Sequence, residues 1–119
     1  MNRREIGLTG EKLAKSFLKK KGYKIYETNF RCSQGEIDIV ARCKDYLVFI
    51  EVRTKTNTDF GIPEESITLA KKQKIVKTAL TYINSHKNLP VFWRVDFVAV
   101  EIDQNGKVGR LTLIENIIN

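Results

Sequence analysis

The sequence predicts an α/β domain with a mixed sheet, in the order α-β-β-β-α-β-(β). Three observations carry this. Segments 4–21 and 66–86 repeat apolar residues at the three-and-four spacing of amphipathic helices. Between them lie two strand-like runs, 35–42 and 47–53, joined by a short polar connection. Another run, Phe92 to Ile102, follows the second helix, rich in β-branched and aromatic residues. At 119 residues, with 42% hydrophobic, the chain fits one domain spanning 1–119 and can bury a core without staples.

Each element has a local reason. In the first helix Ile6, Gly10, Leu13, Ala14, Phe17 and Leu18 share one face, Lys12, Lys15, Lys19 and Lys20 cover the rest, and Gly22 supplies the stop. Lys24 to Phe30 reads as an irregular strand. Gly35 to Arg42 alternates with period two, whereas Leu47 to Arg53 is almost continuously apolar, as a central strand covered on both faces would be. Thr, Asn, Asp, Gly61 and Pro63 make 54–65 a loop. The second helix is expected to turn Leu69, Ile75, Val76, Ala79, Leu80 and Ile83 inward, and Pro90 ends the following turn. Trp93 and the Phe residues are expected in the core, not as an exposed stacking platform like that of single-strand binders. Asn105-Gly106 is a turn, and 108–115 can pair as a last strand.

Composition excludes several classes. Two cysteines, Cys32 and Cys43, are too few for a disulfide scaffold and lack the spacing of a thiolate zinc site. No run approaches the roughly 20 apolar residues of a membrane span. The basic N-terminus is followed by no long apolar stretch, so neither a cleaved signal peptide nor a membrane partner is expected. The expected compartment is the cytoplasm, with both thiols reduced. The net charge of +7 is unevenly placed. Residues 1–24 carry +6 and residues 66–93 carry +5, whereas residues 25–65 carry −3. Two basic segments flanking an acidic middle suit a polyanion, most often nucleic acid. Lys19, Lys20, Lys55, Lys71, Lys72, Lys74 and Lys77 are the candidate phosphate contacts; the alternative is a solvated lysine face.

The chemistry concentrates in the hairpin. If Cys43 to Tyr46 form a tight turn, Asp38 stands opposite Glu51 and Glu36 opposite Arg53, with Cβ atoms about 5 Å apart. Two carboxylates so placed repel unless they share a cation or a proton. Their hard oxygens suit Mg²⁺ or Mn²⁺. Glu51, Arg53 and Lys55 alternate onto one face, giving a site for metal and phosphate. The bland alternative makes Asp38 and Glu51 edge charges and Glu36–Arg53 a surface ion pair.

These residues resemble a known family. Gly35-Glu36-Ile37-Asp38-Ile39-Val40 followed by Leu47-Val48-Phe49-Ile50-Glu51-Val52-Arg53 is similar to the bacterial YraN-like family of the PD-(D/E)xK nuclease superfamily. Gly10-Glu11 with Ala14 and Leu18, Asn29 and Arg31, Gly61, Lys71 and Ala79, and Arg94-Val95-Asp96-Phe97-Val98 extend the likeness over nearly the whole chain. The resemblance implies a restriction endonuclease-like three-layer fold, close to Holliday-junction resolvases. It implies metal ligation by Asp38, Glu51 and the Val52 carbonyl, with Glu11 joining from the first helix. The superfamily's motif lysine falls on Arg53, which cannot deprotonate water. Lys55 or Lys71 is the candidate second cation.

The expected function is therefore a metal-dependent endonuclease acting on nucleic acid, DNA rather than RNA, with branched or structured DNA suggested by the resolvase likeness. The competing readings are a binding module that keeps the fold without turnover, favoured by Arg53, and a protein-interaction adaptor. Resolvases pair as dimers, which leaves a homodimer open. Arg94 and Asp96 are expected to form a structural pair supporting the hairpin, and His86 is given no catalytic role.

Overall fold

The computed structural model describes residues 1–118. The expected order is found: α1 (Arg3–Lys20), β1 (Lys24–Cys32), β2 (Gly35–Cys43), β3 (Tyr46–Lys55), a 3-10 turn at Pro63–Ser66, α2 (Leu69–Ser85), β4 (Phe92–Ile102) and β5 (Val108–Ile114). The strands form one mixed sheet in sequential order, with β3–β4 parallel and every other pair antiparallel. The parallel pair requires a crossover, which α2 provides. Asn2 caps α1 by accepting from the Glu5 N–H, and the Glu5 carboxylate accepts from the Asn2 N–H in return. Gly22, at φ +92°, ends that helix as expected.

The two helices cover opposite faces of the sheet. Ala14 and Leu18 of α1 pack on Ile39, Ala41, Val48 and Ile50. Ile75, Ala79 and Tyr82 of α2 pack on Val40, Leu47, Phe49 and Val95. Leu47 through Ile50 are all buried, as a strand covered on both sides requires. Gly10 permits the closest approach of helix and sheet, because a methyl group there would collide with the Thr54 side chain. That contact seats the middle of α1 against the outgoing end of β3.

Three expectations need correction. The second helix starts at Leu69, after Thr68 accepts from the Lys71 N–H, so Leu69 in the first turn is 72% exposed. Leu80 also faces solvent; Thr78 and Tyr82 take inward places, because the buried stripe runs through Ile75, Thr78, Ala79 and Tyr82. Phe92, at the start of β4, is exposed, and Phe60 lies in the loop after β3 with 93% of its surface open. Neither has an opposing layer to cover it.

The hairpin turn and its register are as expected, with Cys43 opposite Tyr46 and pairing continuing to Ile39–Ile50. There the β2–β3 ladder stops. Glu36 consequently does not face Arg53. It pairs across β1 instead, 3.4 Å from Arg31. At the same point β2 changes face: Ile39 packs with α1, but Ile37, two residues earlier, packs with α2. Asn29, on the neighbouring stretch of β1, adopts φ +55° between the paired positions Thr28 and Phe30. Asp38 occupies this switch.

A second polar feature sits on β4, level with Ile50 of β3. Asp96, on β4, is fully buried and accepts hydrogen bonds from Tyr23 Oη (2.8 Å), Arg94 Nε (3.0 Å) and the Asn116 N–H (2.9 Å). One carboxylate thus ties together the α1–β1 turn, the central sheet and the segment after β5. Arg94 also lies over the Tyr46 ring at 5.0 Å, which extends the support to the hairpin end as expected. Replacing Asp96 with Ala leaves the Asn116 N–H without its acceptor and leaves Arg94 and Tyr23, as carboxylate partner, only the exposed Glu115 at the longer distance of 3.4 Å. The expected loss is about 3–5 kcal/mol, read as a lower denaturant midpoint; Asp96→Asn, which keeps an acceptor, is expected to lose less.

Candidate active site

Beyond the Ile39–Ile50 pair, side chains replace backbone partners. Asp38 Oδ2 accepts the Val52 N–H at 2.8 Å, so the carboxylate stands where a strand carbonyl would otherwise be. That bond holds Asp38 beside Glu51. Burial pushes the Glu51 carboxyl well above the ordinary carboxylate range. A hydrogen bond to the Asp38 carboxyl and the negative charge of Asp38 push it further, and only the protonated acid can donate that bond. The Lys71 ammonium pulls in the opposite direction, and Glu36 adds to the rise.

Glu11 belongs to the same field. Its carboxyl is raised by burial first and then by Asp38, while a hydrogen bond from Asn29 Nδ2 (3.0 Å) and the charge of Lys15 oppose the shift. The positive φ at Asn29 and the Gly10–Thr54 contact are the two backbone features that bring these residues together. Glu11, Asp38, Val52, Arg53 and Lys55 line a single open cleft of about 620 Å³. Glu51 is set behind it, in the narrow space between β3 and α2 with Lys71, Lys72 and Ser66. The expected sharing of one face by Glu51, Arg53 and Lys55 is thus only partly met.

The lysines divide clearly. Lys55 reaches the cleft and Lys71 reaches Glu51. Lys72 borders the Glu51 space and, with Lys77, an outer groove of α2, while Lys74 is an exposed residue of that helix. Lys19 and Lys20 occupy the last turn of α1, eight and nine residues past Glu11, or about 12–14 Å along the axis. There they complement the helix dipole and do not line the cleft. At the opposite end of α1, Arg3 does line it. Arg3, Gly7 and Glu11 form one i, i+4, i+8 ridge, a spacing legible once Glu11 is assigned to the site. Asn29 and Glu36 are further cleft residues to which the sequence reading gave no site role.

Among the described residues no group of three or more His, Cys, Asp or Glu side chains is disposed as a complete metal cage. Asp38 and Glu51 are the neighbouring carboxylates that could hold a small divalent cation. Mg²⁺ commonly takes one or two carboxylates and keeps several waters. An acid pushed toward its protonated form by burial, and further by a neighbouring carboxyl, is one whose proton a dication could replace.

Comparison with known proteins places the chain. Residues 10–100 match the model of Uncharacterised protein family UPF0102. The chain belongs to this family. It is 47% identical over 117 residues to a UPF0102 protein of Dehalococcoides mccartyi, covering 98% of this chain and 95% of that relative. A UPF0102 protein of Caldanaerobacter subterraneus subsp. tengcongensis is 42% identical over 121 residues, covering 100% and 96% respectively. The expected YraN-like affiliation is met at the level of UPF0102, and the matched span includes Glu11, Asp38, the Glu51–Arg53 stretch and Lys71. No described helix is long and apolar enough to cross a membrane.

The raised Glu51 carboxyl has a consequence for stability. Above the ordinary value of 4.5 the folded chain holds a proton that the unfolded chain has lost. Stability is therefore full below that value and falls as pH rises toward the folded one. In metal-free buffer, Glu51→Gln is expected to flatten this fall. At pH 8 it should exceed the wild type by more than about 1.4 kcal/mol, the equivalent of one pKa unit. The two should converge near pH 4. Parallel pH profiles in denaturant titrations would contradict the assignment.

Proposed function

We propose that this UPF0102 protein binds nucleic acid, DNA rather than RNA, and hydrolyses phosphodiester bonds with Mg²⁺ or Mn²⁺. The observation that carries the reading is the crowded Asp38–Glu51 carboxyl pair at the end of the β2–β3 ladder, beside a cleft edged by Arg3, Arg53 and Lys55. The order of elements and the bent acidic hairpin support a restriction endonuclease-like fold of the PD-(D/E)xK type, with cytoplasmic residence as the matching location.

Asp38, Glu51 and the Val52 carbonyl would hold the cation. When bound, it supplies a Lewis acid for a phosphoryl oxygen and lowers the pKa of water. The chain's own residues account for the rest. Asp38 is fixed by the Val52 N–H, so its free oxygen is oriented before substrate arrives. Glu11 has one oxygen held by Asn29, which leaves Oε2 free toward the cleft, and burial and the Asp38 charge raise its carboxyl, the direction that favours a proton acceptor. The exposed Arg53 guanidinium can clamp two non-bridging phosphate oxygens and stabilise the charge that develops there. Arg3 and Lys55 hold flanking phosphates, and among the described residues no salt bridge engages Arg3, Arg53 or Lys55.

A second reading is favoured by one observation. Arg53 lines the cleft where the motif calls for lysine, which favours a chain that keeps binding without turnover. A gel assay on labelled junction, flap, single-stranded and duplex DNA separates the two. The nuclease reading expects cleavage with Mg²⁺ or Mn²⁺ and none with EDTA. Asp38→Ala and Glu51→Ala should each lose roughly 10²-fold or more, the scale of removing one transition-state contact. Retarded bands without cleavage under every metal would leave the binding module. Cleavage unchanged in folded Asp38→Ala would overturn the site.

A further inference from the structure

We infer that Phe60 is a base-stacking side chain, and that the substrate bound in the cleft carries unpaired or unstacked bases. This rests on the nucleic-acid reading above and narrows it to a substrate class.

The loop is built to display this ring. Thr56 and Asn57, directly after β3, form part of the cleft wall. Asn57 Oδ1 then accepts the Asp59 N–H at 2.7 Å, and the Gly61 N–H donates to the Thr58 carbonyl at 3.1 Å. The second bond closes a four-residue turn over Thr58–Gly61, with Phe60 at its third position. Gly61 takes φ +123°, a conformation glycine accepts readily. Beyond the turn the chain is braced. Glu64 takes two hydrogen bonds from Arg110 of β5, at 2.7 and 2.8 Å, and Arg110 also pairs with Glu101 of β4. Both ends of the loop are thus fixed to the sheet, while the Phe60 ring between them is 93% exposed.

A phenylalanine so exposed gains nothing from folding. By chain length its Cα lies within about 11 Å of Asn57 and the cleft wall. A nucleic-acid strand whose phosphates meet Arg53 and Lys55 would offer its bases to side chains at about that range. The apolar ring suits the face of a base; the phosphate backbone offers it no partner. In continuous duplex the base faces are already stacked on one another, so Phe60 has a surface to cover only where bases are unpaired, or where a step can be opened by wedging. Single-stranded segments and the branch points of junctions or flaps meet that condition.

The test compares the wild type with Phe60→Ala, Phe60→Leu and Phe60→Trp on DNA carrying 2-aminopurine, in EDTA and in Mg²⁺. The substrates are a continuous duplex, a single strand and a four-way junction with the probe at the branch. Phe60→Ala is expected to weaken single-strand and junction binding by roughly tenfold, the scale of one lost aromatic stack. Duplex binding should stay within about twofold. Phe60→Trp should restore affinity and quench the probe, whereas Phe60→Leu should not. Equal weakening on all three substrates, or none, overturns the inference while leaving the nucleic-acid reading in place. Absence of wild-type binding to any of the three overturns both.

Discussion

Two carboxyls compete for one small volume at the point where the central hairpin stops pairing. Asp38 is held there by the Val52 N–H, and Glu51 is held by its place in a strand buried between layers. If Asp38 turned away, the Val52 N–H would lose its partner. Burial and mutual repulsion raise the Glu51 carboxyl, and in the proposed function a divalent cation would take the place of the proton this favours. The rest of the molecule can be understood as what keeps this pair in place. Gly10 lets α1 come close enough to bring Glu11 alongside, and Asn29 bends β1 and braces Glu11.

The stabilising polar networks lie away from the cleft. Asp96 gathers Tyr23, Arg94 and the backbone after β5, and Arg110 joins Glu64 to Glu101 near the loop that follows β3. Both are satisfied pairs, with donors and acceptors matched. The cleft reverses that pattern. Its acids oppose one another and its cations lack salt-bridge partners among the described residues. Such a mismatch in a cleft marks a candidate functional site and is what the proposed function rests on.

Much of this was legible in the residues. The helices and the strands were visible because apolar spacing reports which face is buried, and the hairpin register followed from a two-residue turn at Lys44-Asp45. What the sequence could not report was where that register ends. Simple alternation carried Glu36 opposite Arg53, whereas the ladder stops at Ile39–Ile50 and Glu36 turns to Arg31. The change of face at Asp38 coincides with a positive φ at Asn29, across the β1–β2 hairpin, and alternation along a single strand does not report it. Lys19 and Lys20 looked like Lys55 by charge, yet helix length carries them away from the cleft and brings Arg3 into it. Phe60 was hidden by composition, since an aromatic residue reads as core until its layer is known.

In the proposed site Asp38 and Glu51 exchange a shared proton for a divalent cation. Calorimetric titration of Mn²⁺ and Mg²⁺ into the chain, in buffers of different ionisation enthalpy, counts the protons released. One site, proton release on binding near neutral pH, and loss of binding in both Asp38→Ala and Glu51→Gln are expected. Cation binding that releases no proton, or that survives both substitutions, would contradict the proposed site.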